Sequence, residues 1–148
     1  MSITQSGLFF LTLEKINIDT LGESVEEEDH NIAMITDTET PNFDTDDFFD
    51  DVQANEVSGA GYTARGQDLA GTELTTSSGT SKYDATDAAW ATSTITSAMA
   101  GVGCFDGGSA AADELHFLSD FVTAATSSGG TFSIVWAAAG IYTVDFTP

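Results

Sequence analysis

Basic residues are nearly missing from this chain. Lys15, Arg65 and Lys82 stand against 24 acids in 148 residues, a formal net charge of −21. Nucleic-acid binding through a basic surface is thereby excluded, because neutralising phosphates takes clustered Lys and Arg. Cysteine is reduced to Cys104, which excludes an intramolecular disulfide framework and any zinc site built on two or more cysteines. Long apolar runs are missing too. The stretch from Leu8 to Leu13 is too short to span a bilayer and no basic region precedes it. The chain is expected to be soluble, not exported by a leader, and without a membrane partner. It carries no nucleophile elbow, phosphate loop or HExxH motif, and no repeat of solenoid length.

What is present suits a single folded domain spanning residues 1–148. A chain of this length buries about 68–70% of the surface its unfolded form exposes, so it needs neither disulfide nor metal to hold a core. Ten Phe, two Trp and three Tyr supply the apolar anchors that an acidic disordered tail lacks. The charge imbalance comes from the scarcity of cations rather than from an unusual number of acids. Uncompensated carboxylates repel one another in dilute salt, whereas at ~1 M salt the screening length falls to about 3 Å. A high-salt habitat is the reading that fits best, and an acidic protein neutralised by a cationic partner is the alternative.

Along the chain, Leu8, Phe9, Leu11, Leu13, Ile16, Ile18 and Leu21 suit a short helix opened by Ser6 and ended by Gly22. An acidic loop follows from Glu23 to Asp29, then a strand over Asn31–Thr36. Five acids between Glu23 and Asp29 and eight between Asp37 and Glu56 make one acidic region. Within it, Asp44 to Val52 reads as a helical turn or two capped by Asp44 or Thr45, with Phe48, Phe49 and Val52 close enough to pack inward. Beyond Glu56 the composition turns to Gly, Ser, Thr and Ala, with short apolar runs about ten residues apart, as in an all-β sandwich or barrel. Strands are expected over Val57–Ala64, Leu69–Thr76, Ala89–Thr96, Ala98–Phe105, Glu114–Val122, Thr131–Ala137 and Ile141–Phe146. The fold class is therefore mainly β, a sandwich of seven or eight strands with a short amino-terminal helix. Residues 1–56 form its helix and acidic loop, and 57–148 its β-rich remainder.

Residues able to carry chemistry are few. His30 lies in the acidic run and reads as a surface residue. His116 alternates with Leu115 and Phe117 and is expected to face away from them. Cys104, between Gly103 and Phe105, reads as a buried small hydrophobe, with a Cys104–His116 dyad as the less supported option. Asp44, Asp46, Asp47, Asp50 and Asp51 are hard oxygen ligands. An EF-hand loop counted from Asp44 fails, however, because Phe49 and Asn55 occupy the positions that require Gly and Glu. A looser cation site and a solvated acidic face remain the two readings of that run. Arg65 stands beside glycines, placed to bridge acidic loops or to meet a neighbouring subunit, with a plain surface arginine as the other reading. Trp136, Phe132 and Ile134 share one face by alternation, and both Trp90 and Trp136 are expected to be buried with paired N–H groups.

The run Glu56-Val57-Ser58-Gly59-Ala60-Gly61-Tyr62-Thr63-Ala64-Arg65-Gly66-Gln67-Asp68-Leu69 resembles a motif of small structural proteins of tailed viruses, "(E/V)-x-G-x-G-Y-T-x-G-G-x-x-L". Three further segments resemble that family in order. Asn31–Thr36 with Asp37 and Thr38 is similar to its "I-x-x-A-L-(V/I)-T/D" opening, and Asp84–Thr96 to "D-A-D-D-V-x-W-x-x-S-T-(I/F)-T-A-R". Gly130–Tyr142 is similar to "G-x-F-T-I-x-W-x-x-x-G-I-(F/L)". The likeness covers most of residues 8–146. Arg65 replaces one Gly of the family's pair, Ser97-Ala98-Met99 replaces an A-R-x segment, and Glu23–Asp29 looks like an added loop.

The resemblance implies a non-enzymatic virion component without a cofactor. The expected role is a capsid decoration or cement protein of a tailed virus from a halophilic or marine host, assembled in the host cytoplasm and placed on the capsid surface. It implies contacts with the major capsid protein or other virion proteins and with further copies of itself, and none directly with nucleic acid. A tail or baseplate component is the alternative, followed by a free acidic module that mimics DNA or binds cations. Phe9, Phe48, Phe49 and Arg65 are the expected partner contacts.

Overall fold

The computed structural model describes residues 3–17, 25–26 and 29–145. Within them lie ten short strands and one helix, α1 (Phe10–Asn17). The strands are β1 (Gly7–Leu8), β2 (His30–Thr36), β3 (Gln67–Asp68), β4 (Glu73–Ser77), β5 (Thr80–Asp84), β6 (Ala88–Ser93), β7 (Ala98–Phe105), β8 (Leu115–Ala125), β9 (Gly130–Ile134) and β10 (Tyr142–Asp145). They form an antiparallel five-stranded sheet in the order β1-β8-β7-β2-β3, a three-stranded sheet β10-β5-β4 and a pair β6-β9. The fold is mainly β and sandwich-like, as expected, with more and shorter strands.

The five-stranded sheet is covered on both faces, which is why β7 reads Ala-Met-Ala-Gly-Val-Gly-Cys-Phe and is buried throughout. Alternation along β2 divides its side chains between two cores. Ala33 and Ile35 join Phe9, Phe49, Val52 and Leu115 on one side, and Ile32 and Met34 join Tyr83, Trp90, Phe132 and Ile134 on the other. Burying each large apolar side chain stabilises by about 1.5–3 kcal/mol. Gly103 pairs across the ladder with Phe117, whose ring occupies the space a Cβ would take, 2.1 Å from its edge.

Residues 1–56 are not an appendage to a β-rich remainder. β2 lies between β7 and β3, and Phe9, Phe49 and Val52 close one core. The expected helix start at Leu8 is corrected to Phe10, because Gly7 and Leu8 pair with Leu118 and Phe117 of β8. Ser6 does not cap it, since its Oγ accepts the Asp120 N–H at 2.9 Å. The expected stop at Gly22 and most of the Glu23–Asp29 loop lie outside the described residues. Asp44 to Val52 forms a turn, then a 3-10 turn over Phe49–Asp51, with neither Asp44 nor Thr45 as its cap. The Asp51 carboxylate instead accepts the N–H groups of Asp47 and Phe48 at 2.9 and 3.2 Å.

Val57–Ala64 is not a strand. Gly61 (φ +76) and Arg65 (φ +69) bend the chain through left-handed conformations that a strand cannot hold. Of the expected Leu69–Thr76 strand only the second half is one, as part of β4, while β3 ends just before it at Asp68 and β5 was missed. It follows β4 through Ser78 and Gly79, both at positive φ, with Ser77 paired to Thr80. That is the two-residue primed turn matching the twist of a hairpin.

Candidate functional site

The segment carrying the first viral-type motif folds into a clasp. Arg65 donates from Nε to Asp113 Oδ2 at 2.5 Å and from Nη2 to Asp113 Oδ1 at 2.6 Å, a forked pair, and Nη2 also reaches Asp106 Oδ1 at 2.5 Å. Its own N–H donates to Glu56 Oε1 at 2.6 Å. Glu56 Oε1 also accepts from the Tyr62 hydroxyl at 2.8 Å, and that hydroxyl in turn accepts the Met34 N–H at 3.0 Å. The hydrogen bonds to Asp113 raise the Arg65 pKa above its ordinary value, against the opposing effect of burial. Partial burial pushes the Asp106 carboxyl up, but the Gly108 N–H and Arg65 outweigh it and hold it below the usual range. Burial raises Glu56 despite the two donors it accepts. Of the two roles expected for Arg65, bridging acidic loops is the one its geometry performs.

The other two cations are also spent inside the chain. Lys15 reaches Asp47 at 2.7 Å and Glu114 at 3.3 Å and lies 4.7 Å from the centre of the Phe48 ring, while Lys82 pairs with Asp84 at 2.9 Å. Each cation the sequence possesses thus already faces a carboxylate. With 24 acids against these three paired cations, the protein is strongly acidic towards its surroundings.

The expected contact residues divide. Phe9 and Phe49 are fully buried, because Phe9 packs on Phe43 under α1 and Phe49 sits in the same core. Neither offers a surface, and that expectation is corrected. Phe48 is half-buried beneath Lys15. The five aspartates are not brought together around a centre: Asp44 and Asp50 are exposed, Asp46 accepts the Asn42 N–H, Asp47 faces Lys15 and Asp51 accepts two backbone donors. Among the described residues no group of three or more acids, His or Cys is placed to hold a metal ion.

His30 is buried rather than on the surface, and His116 faces the same side as Phe117 rather than the opposite one. The cause is a bulge: Gly103 pairs with Phe117 and Cys104 with Leu115, leaving His116 as the extra residue. Its ring stacks among Phe105, Tyr83 and His30, and its Nε2 hydrogen-bonds the Tyr142 hydroxyl at 2.9 Å. Burial, then His30, pushes its pKa down to about 3. Cys104 is buried as expected, with its thiol pKa raised by that burial, and the hydrogen bond of His116 goes to Tyr142 rather than to it. Trp90 is buried but its N–H finds no partner among the described residues, whereas half-buried Trp136 donates to Thr86 O at 3.2 Å.

Sequence reasoning missed the exposed apolar side chains Phe10, Leu13, Val122 and Val135. The 3-residue spacing of Phe10 and Leu13 on α1 was a signal; Val122 gave none, because its exposure follows from a distortion of β8. Against known proteins, no family model, no curated protein and no solved structure matches the chain. Among the described residues no helix is long and apolar enough to cross a membrane.

Proposed function

We propose that this protein is a non-enzymatic structural component of a tailed-virus particle, in the role of a decoration or cement protein on the capsid. The observation that carries the reading is where the four family-like segments lie. The Met34 N–H of the Asn31–Thr36 segment meets the Tyr62 hydroxyl of the Glu56–Leu69 segment, Tyr62 lies 6.0 Å from Trp90 of the Asp84–Thr96 segment, and Trp90 lies 6.2 Å from Phe132 of the Gly130–Tyr142 segment and pairs with it across β6 and β9. The motifs are therefore one another's packing partners, as residues that specify a shared fold would be. The role is mechanical: contacts repeated at identical lattice sites add binding free energy to the joints of a shell.

The experiment is reconstitution. DNA-filled heads depleted of this protein should release their DNA at a lower temperature than intact heads, and adding the purified chain at molar salt should restore the difference. Binding only to sheared tails would move the protein to the tail or baseplate. No binding to either would reject the virion role in favour of a free acidic module.

A further inference from the structure

β8 has an edge that the rest of the fold does not use. On that side β1 covers only Phe117 and Leu118, while on the other side β7 follows β8 as far as Ala125. The edge donors beyond Leu118 are held by side chains: the Asp120 N–H by Ser6 Oγ at 2.9 Å and the Val122 N–H by Asp120 Oδ1 at 2.8 Å. Among the described residues β9 likewise pairs with β6 alone. Between them runs an open groove of about 280 Å³, lined from Ser119 to Phe121 and from Phe132 to Trp136.

Of the two most exposed large apolar residues among those described, one lines this groove and the other lies on the same stretch of β8 edge. Val135, 70% exposed, lines it, and Val122, 80% exposed, directly follows Phe121. Val122 is also strained. Four residues of β8 lie between Asp120 and Ala125 where β7 has only Met99, and Val122 takes φ +64, which a β-branched residue rarely adopts. Water rewards neither the strain nor the exposure of a valine. The charge around the groove selects the occupant: Asp120 lines it, Asp87 accepts the Trp136 N–H beside it, and no Lys or Arg is among its lining residues. A second copy of this chain would set like charge against like.

We propose that the Ser119–Ala125 edge and its groove accept an extended, lysine- or arginine-bearing segment of a partner protein as an added strand. The backbone of that segment replaces the side-chain oxygens on the edge N–H groups, alternate apolar side chains cover Val122 and Val135, and its cations meet Asp120 and Asp87. The inference stands independently of the virion reading.

The probe is a synthetic peptide of about ten residues, the length of a long strand, alternating lysine with valine. It would be titrated into the purified chain at ~0.2 M NaCl, where screening still leaves contact charge pairs effective. Backbone amide shifts of β8 and Trp136 fluorescence report binding. The same peptide N-methylated at alternate amides, and a glutamate-for-lysine version, should each bind at least about tenfold more weakly. Val122→Asn, which tolerates a left-handed backbone, should weaken binding about fivefold without lowering the melting temperature. No β8 shift at ~1 mM peptide, a thousandfold above a micromolar Kd, would overturn the proposal. So would equal binding of the N-methylated peptide, which means charge alone, or self-association through this edge, which means the occupant is a second copy.

Discussion

Arg65 and Asp113 lie 48 positions apart in sequence and meet through two parallel hydrogen bonds, with the Asp113 side chain almost entirely out of solvent. The pair fastens the loop after Glu56 to the loop before β8, and it does so from a backbone conformation that suits glycine better than arginine.

Removing the guanidinium leaves the buried Asp113 carboxylate with the Gly107 N–H as its remaining donor. Arg65→Ala should therefore destabilise the chain by about 2–3 kcal/mol, below the range for breaking a fully buried pair because Arg65 is partly exposed. Arg65→Gly loses the same clasp but relieves the backbone, and should be less damaging by about 1 kcal/mol. Urea melts of the two variants at fixed salt check the order. Equal losses would mean that φ +69 at this position carries no strain.

His116 titrates far below its ordinary 6.5 in the folded chain, at about 3. The unfolded chain therefore takes up the proton first, and the stability held above pH 6.5 drains away as pH falls towards 3. The loss from this group should reach about 2 kcal/mol by pH 5. His116→Phe keeps an aromatic ring among Phe105 and Tyr83 and should flatten the pH dependence between 6.5 and 4. Urea midpoints at half-unit pH steps would show it, and an unchanged slope would contradict a buried neutral imidazole.

The net charge of −21 predicts a salt response. Melting temperature should climb as NaCl rises from ~0.1 to ~2 M, first by screening and then by stronger apolar burial. Calorimetry giving a flat or falling curve would count against adaptation to salt.

Trp90 and Trp136 should behave differently. Trp90→Ala empties a buried site and should cost about 3–5 kcal/mol, whereas Trp90→Phe removes a donor with no partner among the described residues and should stay within about 2 kcal/mol. Trp136→Ala, at a half-buried position beyond the end of β9, should cost less than Trp90→Ala. Denaturant melts reversing that order would place the indole of Trp136, not Trp90, at the centre of the core.

Periodicity made β2 and β7 readable, because a covered sheet leaves an unbroken apolar run such as Ala98–Phe105. It misjudged His116, since one bulge residue turns two neighbouring side chains to the same face, and nothing in Leu115-His116-Phe117 announces it. Val57–Ala64 looked like a strand because its residues are small, but the glycines there serve turns and not a ladder. Phe9 and Phe49 were expected among the partner contacts, although Phe49 was also read as able to pack inward with Val52; both rings turn into the core, where Phe49 does join Val52. Arg65 was legible as unusual by its rarity, and its partners were not, because Asp106 and Asp113 reach it only through the tertiary fold.

The most direct measurement is the number of copies of this chain in purified virus particles, counted by quantitative mass spectrometry against the major shell protein, before and after tails are sheared from DNA-filled heads. A decoration protein should be present in a fixed ratio to the shell protein and remain with the heads. Its absence from particles, with abundance only in infected-cell extracts, would contradict the account.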